Sequence, residues 1–191
     1  MLLGSRIYLR LMEEKDIPYK VNWINDPEVR KTLNFDYPIS EIGTRHWLNQ
    51  VALDNSRRDF IVCLIKDDVP IGYGGLLNID IKNSKAESYM GIGDMEYWGK
   101  GYGKEVRHVL LSYAFHELGL NRVYSFVWPK NERMINLNIS VGFEIEGLLK
   151  ADVFSHGEYR DRYIMSILRD NYLKNINQSS NIMRNEHHEE V

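Results

Sequence analysis

The amino-acid sequence predicts an α/β fold of the mixed α+β kind, with one mixed sheet carrying helices on both faces. Three observations lead there. Stretches with apolar residues at alternate positions interchange with stretches at i, i+3, i+4, i+7, and in chain order they read β, α, α, β, β, β, α, β, α, β, β. Three successive strands are linked by short turns, and a strand-helix-strand crossover follows them. A hydrophobic share of 43% with 27% charged residues lies near the globular average, and 191 residues suit one domain with one core.

Arg6 to Leu11 alternates polar with apolar and reads as a half-buried strand. Glu13 to Asn25 reads as a helix stopped by Asp26-Pro27, because the residue before proline is pushed out of the helical region. Ser40 is an N-cap for a second helix through Trp47, Leu48 and Val51. Phe60 to Lys66 and Ile71 to Asn78 flank the turn Asp67-Asp68-Val69-Pro70 as a hairpin, and Ala86 to Asp94 is the next strand. After Gly103 the residues Val106, Val109, Leu110 and Tyr113 form an amphipathic helix that runs to the C-cap signal at Gly119. Arg122 to Trp128 is a strand ended by Pro129, and Glu132 to Val141 is a short helix closed by Gly142. Phe143 to Leu168 holds two strands that meet at His156-Gly157. The domain is drawn at 1–172; residues 173–191, polar and without period from Asn175, are expected to form a mobile tail.

Composition removes several functions. Twenty-four Lys and Arg against 27 Asp and Glu leave a net charge of -3, which speaks against a nucleic-acid partner bound by bulk electrostatics. No apolar run approaches the ~18 residues of a membrane span, and Met1 to Arg10 lacks the cleavage site of a signal peptide. A single cysteine, Cys63, set among Ile61, Val62, Leu64 and Ile65, excludes an intramolecular disulfide and suits a reducing compartment. The expected location is the cytoplasm. His46, His108, His116 and His156 share no metal-binding spacing, and His187-His188 reads as part of a solvated tail, so no metal is expected.

Chemistry concentrates where one strand ends and the long helix begins, at Gly99-Lys100-Gly101-Tyr102-Gly103-Lys104. Glycines there let a ligand approach the backbone, and first-turn amides without intrahelical partners favour an anion such as a pyrophosphate. A P-loop is ruled out because Trp98 stands five before Gly103 and Glu105 follows Lys104; the dinucleotide fingerprint fails at Val106. The bland alternative is a loose strand-to-helix turn.

The string Tyr97-Trp98-Gly99-Lys100-Gly101-Tyr102-Gly103-Lys104-Glu105 resembles the acetyl-CoA signature [Gln/Arg]-x-x-Gly-x-[Gly/Ala] of the GNAT superfamily of N-acetyltransferases. Trp98 takes the Gln/Arg place, a variant similar to the ribosomal-protein N-terminal and spermidine acetyltransferase branch. Asn131-Glu132-Arg133-Met134-Ile135 leading to Val141-Gly142-Phe143-Glu144-Ile145-Glu146-Gly147 resembles a second family block, with Met134 where a small residue is usual. The resemblance spans about Arg6 to Leu168. It implies a GNAT acyltransferase fold with a central, mostly antiparallel sheet, acetyl-CoA as co-substrate, an amine acceptor as partner, and a homodimer left open. It further implies that amides of Gly99, Lys100, Gly101, Tyr102, Gly103 and Lys104 hold the pyrophosphate and that Ile92, Gly93 and Asp94 run beside the pantetheine arm. Gly91 and Gly93 would allow that close approach. Asn131 would contact the cofactor, and Arg133 reads as a cofactor contact or a solvated helix residue.

Many family members carry a tyrosine on the short helix to protonate the departing thiolate, and Asn138 stands in that place here. An amide gives up no proton at neutral pH, so Asn138 is left to bond the sulfur or the substrate, or to be a plain surface residue. An acceptor amine of pKa near ~10 needs a base. On the strand Ala86 to Asp94, Glu87 and Tyr89 share the face opposite the core residues Ala86, Met90 and Ile92, which makes Glu87 the candidate base and puts Tyr89 beside it. The resemblance places the acceptor near Trp23, Asn25, Tyr37 and Tyr73, with Trp47, Tyr159 and Asp161 as further candidates, although each aromatic also reads as core. The expected reaction is direct acetyl transfer to a primary amine, on a polyamine, a nucleotide-linked amino sugar or a protein N-terminus. The rival reading is a non-catalytic acyl-CoA-binding module.

Overall fold

The computed structural model describes residues 1–33, 38–155 and 157–176. Within them eight strands form one sheet: β1 (Leu2–Leu3), β2 (Ile7–Leu11), β3 (Arg58–Leu64), β4 (Pro70–Asp80), β5 (Lys85–Ile92), β6 (Arg122–Val127), β7 (Glu144–Ser155) and β8 (Glu158–Leu168). The spatial order is β1-β2-β3-β4-β5-β6-β8-β7, and every neighbouring pair is antiparallel except β5 with β6. The one parallel pair, β5 with β6, is joined by a crossover that carries the helix Tyr102–Ser112 and returns the chain in the same direction.

Alternation along the strands sorts side chains to two faces. Ile61, Cys63 and Tyr73 meet α1 (Ile17–Asn25) and α3 (Glu41–Val51) on one side, in a cluster with Ile17, Trp23 and Ile24. Phe60, Val62, Leu64 and Met90 point the other way, onto Val106, Val109 and Leu110 of α4 (Tyr102–Ser112). Val106, Leu110 and Leu111 are fully buried, and each contributes about 1.5–3 kcal/mol by leaving water. A third cluster joins Leu111 and Phe115 to Ala86, Val123 and Tyr172. The short helix α5 (Glu132–Ser140) lies beside α4 on this second face.

Local chemistry explains where the elements differ from expectation. Pro27 opens a helix as well as ending one: Asp26 is extended and its carboxylate accepts from the amides of Glu28 and Val29, capping α2 (Pro27–Arg30) with proline in its first turn. The first helix starts as a 3-10 turn at Glu14–Asp16. The long helix loosens into a π turn at Tyr113–Glu117 before Gly119, whose φ of +64° closes it. Residues 169–176 form a further helix, α6, so the first four residues of the expected tail are helical; 177–191, His156 and Tyr37 lie outside the described residues. No helix among the described residues is long and apolar enough to cross a membrane.

The feature that makes a site is a divergence. β5 pairs with β6 only at Lys85↔Arg122, Ala86↔Val123 and Glu87↔Tyr124, while β6 goes on pairing with β8 as far as Val127↔Tyr163. Beyond Glu87 the two parallel strands part, and the sheet has a gap in its middle.

Candidate active site

A cleft of about 700 Å³ occupies the gap and reaches both faces of the sheet. On the α1/α3 side its walls include Lys20, Trp47, Asp59, Tyr73, Glu87 and Tyr89; on the α4/α5 side they include Ser88, Arg107, Asn131 and Met134. Thus the parity of β5 sends Glu87 and Tyr89 to one side and Ser88 and Met90 to the other.

The glycine loop leads into the N-terminus of α4, and residues 99–104 are not among those that line the cleft. Gly99 and Gly101 have φ of +74° and +84°, a region that L side chains avoid, and an added Cβ at Gly99 would meet nothing within 4 Å. The first intrahelical bond of α4 runs from the Glu105 amide to the Gly101 carbonyl, so the amides of Tyr102, Gly103 and Lys104 precede it and are available to an anion. Arg6 binds this loop to the sheet: its Nη1 donates to the Lys100 carbonyl at 3.0 Å and its Nε to Glu105 at 2.9 Å, with the guanidinium over the Tyr102 ring. Burial alone would raise the Glu105 carboxyl, but hydrogen bonds from Arg6 and Ser5 outweigh it and hold the group below its ordinary value. Trp98 Nε1 donates to the Ile92 carbonyl at 2.7 Å, and its ring lies under the Arg133 guanidinium. Arg133 therefore bridges α5 to the loop.

On the acceptor side, Asp59 accepts from Arg57 Nε at 2.7 Å and from the Tyr89 hydroxyl. Burial, with the Asp59 charge adding to it, raises Tyr89 well above its ordinary pKa, so the proton stays on the phenol. Glu87 accepts from Asn78 Nδ2 at 3.1 Å; burial raises its carboxyl, with Asn78 and the Arg162 charge opposing. Lys20 Nζ stands 3.4 Å from the centre of the Trp47 ring. Burial lowers its pKa to about 8, with Asp59 opposing the fall and Arg57 adding to it.

The family described as "Acetyltransferase (GNAT) domain" matches residues 6–144. The chain belongs to the GNAT acetyltransferase family. It is 32% identical over 175 residues to an uncharacterized N-acetyltransferase, p20, of Bacillus licheniformis, covering 90% of this chain and 97% of the relative. It is 29% identical over 172 residues to a spermidine N(1)-acetyltransferase of Vibrio cholerae, covering 90% and 98%. A crystal structure of spermidine N-acetyltransferase from Vibrio cholerae in complex with CoA and spermine superposes with a TM-score of 0.83 at 28% identity, covering 89% of this chain and 99% of that one. The protein is accordingly an acetyl-CoA-dependent N-acetyltransferase with the GNAT fold.

Within this GNAT enzyme the residues singled out from sequence have several fates. Glu87, Tyr89, Tyr73 and Asn131 line the cleft. Trp23 does not: it is buried, and its ring lies 2.2 Å from where a Cβ on Gly93 would stand. Gly93 is thus a packing glycine, and Gly91 likewise leaves room for the Tyr73 ring, 3.1 Å from its would-be Cβ. The amides of Gly93 and Asp94 both point to the Ile71 carbonyl, and the Asp94 side chain caps the next turn. Those groups serve the fold, as does the Ile92 carbonyl that Trp98 holds. Asn25 bonds twice to the Ile39 backbone and so fixes the approach to α3. Asn131 caps α5 by accepting from the Met134 amide at 3.1 Å. Gly103 is helical, and its would-be Cβ meets Leu137 at 2.8 Å, so it also sets how closely α4 and α5 pack. Tyr159 is exposed and outside the cleft.

Asn138 requires the largest correction. It is fully buried, its Nδ2 faces Met165 Sδ and its Oδ1 has no partner, and it lies outside the cleft lining. It is a core residue instead of a surface or sulfur-binding one. The sequence reading missed Lys20, Arg57, Asp59 and Arg107. Charged residues on helices and strand ends read as solvated, whereas these four line the cleft.

Proposed function

We propose that acetyl transfer takes place in the gap between β5 and β6, with acetyl-CoA entering from the α4 side and the amine from the α1/α3 side. The observation that carries this reading is the continuity of one cleft through the sheet, from Met134 and Asn131 to Glu87 and Trp47. The Gly99–Lys104 loop holds the pyrophosphate on the helix amides, with the exposed Lys100 and Lys104 beside it. Past Glu87 the edge of β5 that faces β6 has no strand partner, so its backbone is free to bond the pantetheine arm and polarise the thioester carbonyl.

Glu87 is the base. A carboxylate in a partly desolvated wall, raised by burial, is placed to accept a proton from an ammonium that would otherwise have no lone pair to offer. The freed nitrogen attacks the carbonyl carbon, the C–S bond breaks, and the electron pair leaves on sulfur.

The charge of the lining bears on the acceptor. On the acceptor side Lys20, Arg57 and Arg162 stand against Asp59 and Glu87, three cations against two anions. Arg57 is paired with Asp59, and Arg162 with Asp152 outside the cleft, but Lys20 rests on an aromatic ring. We infer an acceptor whose primary amine is attached to a neutral or anionic body. A polyamine, the acceptor named for the spermidine acetyltransferase relatives, is the second reading; likeness over nine-tenths of the chain favours it and this charge balance opposes it. Thiol release from acetyl-CoA with spermidine, phosphorylated or nucleotide-linked amino sugars and N-terminal peptides tests both. Preference for spermidine over every anionic amine would overturn the inferred acceptor class.

A further inference from the structure

We propose that Arg107 carries the negative charge that appears on the CoA sulfur when the acetyl group leaves; this rests on the reading of the cleft given above. Arg107 is 1% exposed, yet it lines the cleft on the α4/α5 side. Its Nη1 donates to Ser88 Oγ at 2.6 Å, its Nη2 faces Met134 Sδ at 3.6 Å, and its Nε has no partner. No carboxylate offsets it among the described residues, and burial alone lowers its pKa to about 10, so it stays protonated at neutral pH. A buried cation with an unused donor and no counter-ion is costly to the folded state, and the cost is removed when an anion comes to it.

The position says which anion. Ser88 on β5 and Ser125 on β6 are the first residues beyond the last paired position, Glu87↔Tyr124, and both line the cleft. Arg107 therefore stands under the apex of the gap, on the side from which the acyl donor enters. The other charged groups of the lining, Lys20, Arg57, Asp59, Glu87 and Arg162, belong to the acceptor side. Acetyl transfer begins with a neutral thioester and ends with a thiolate, the one anion the reaction makes on the donor side. Among the described residues the tyrosines of the lining hold their protons: that of Tyr89 is bonded to Asp59, and burial raises Tyr73, on the acceptor side, above its ordinary value; Asn138 is outside the cleft.

The step balances without an acid. The amine nitrogen, having given its first proton to Glu87, forms the C–N bond; the second proton passes to solvent water as the tetrahedral centre collapses, and the C–S electron pair goes to sulfur. The guanidinium keeps its own protons and stabilises the thiolate until solvent protonates it.

The test uses the full chain, Arg107→Met and Arg107→Lys, with CoA itself as the probe. Thiolate absorbance of bound CoA is followed against pH, beside calorimetric binding and steady-state kinetics. In the parent the bound thiol should ionise at least about one unit below the ~8.5 of a free thiol. Arg107→Met should abolish that shift and lower kcat about 100-fold with little change in amine KM, an effect of the size seen when one charge-stabilising donor is removed. Arg107→Lys should recover part of both. A purely structural role would reduce melting temperature and leave the thiol titration unmoved, whereas removal of an unpaired buried charge should leave melting temperature unchanged or higher. Should Arg107→Met not fold, the lysine variant and Ser88→Ala, which frees the guanidinium from its anchor, carry the same titration and should each give a smaller shift than the parent. CoA bound with equal thiol pKa in parent and variants overturns the proposal alone. So does a parent that prefers a carboxylate-bearing acyl-CoA to acetyl-CoA and loses that preference in Arg107→Met, for Arg107 then reads the acyl group. A parent that does not bind CoA overturns the reading of the cleft and this proposal with it.

Discussion

Arg6 and Glu105 are 99 positions apart in the chain and meet where α4 begins: the Glu105 carboxylate accepts from the Arg6 amide at 2.6 Å and from its Nε at 2.9 Å. The residue that leads into β2 thereby holds the first turn of the helix whose amides are proposed to bind the CoA pyrophosphate. Arg6→Met should weaken CoA binding about 5–10-fold, roughly 1–1.4 kcal/mol, while leaving the fold intact, since the arginine is half exposed. Calorimetric titration with unchanged affinity would separate the loop from this contact.

Two glycines of the motif region should respond differently. Gly101→Val introduces a branched side chain at φ +84°, beside Arg6, at the N-cap of α4. CoA binding should fall tenfold or more, about 1.4 kcal/mol. Gly93→Ala puts a Cβ on the Trp23 ring and should instead cost about 1–3 kcal/mol of stability as overpacking, with CoA affinity of the folded fraction preserved. Melting curves and titrations of both variants check the contrast.

Glu87→Gln should lower kcat/KM by about 10²–10⁴ at neutral pH, the usual contribution of a general base. The parent should lose activity as pH falls through the raised pKa of Glu87, because only its ionised form accepts a proton. The variant should lack that limb and regain activity at high pH, where the amine arrives unprotonated. A constant ratio near one across the profile would remove Glu87 from the mechanism.

Asn138→Leu should leave kcat within a few-fold of the parent. Its buried Oδ1 has no partner, so an apolar residue of similar size removes an unsatisfied group and should hold or raise the melting temperature. A fall in kcat beyond about 100-fold, near 2.7 kcal/mol of transition-state stabilisation, would return Asn138 to the reaction.

Lys20 is lowered to about 8 in the fold by burial, against about 10.4 in an unfolded chain. Between those values the unfolded chain binds more protons, so this group makes stability rise with pH over that window. Below about 8 both states are protonated and its contribution is flat. Lys20→Met should remove the rise, which denaturant titrations of parent and variant at pH 7.5, 8.5 and 9.5 will show as a shrinking difference.

Local chemistry made much of this protein legible from its sequence. Alternation marked β2 to β8 because a strand buries one face, and the spacing of Val106, Val109 and Leu110 marked α4 because a helix buries a stripe. Ser40, Gly119 and Gly142 marked helix ends through capping geometry that a few residues determine. The glycine loop could be read for the same reason, since positive φ and free amides are properties of a short segment. What tertiary structure alone decided is which polar groups are left out of water. Arg107 and Lys20 carry charges that local pattern assigns to solvent, and Asn138 lies on a helix that the same pattern leaves half exposed. Arg107 and Lys20 line the cleft opened by the parting of β5 and β6 after Glu87, and Asn138 is buried where α5 packs on Met165 of β8; such pairings join residues far apart in the chain. The same distance hid the reason for Gly93, which accommodates Trp23 on another element instead of a ligand. Periodicity reports what one segment buries; the gap arises from where several segments cease to meet.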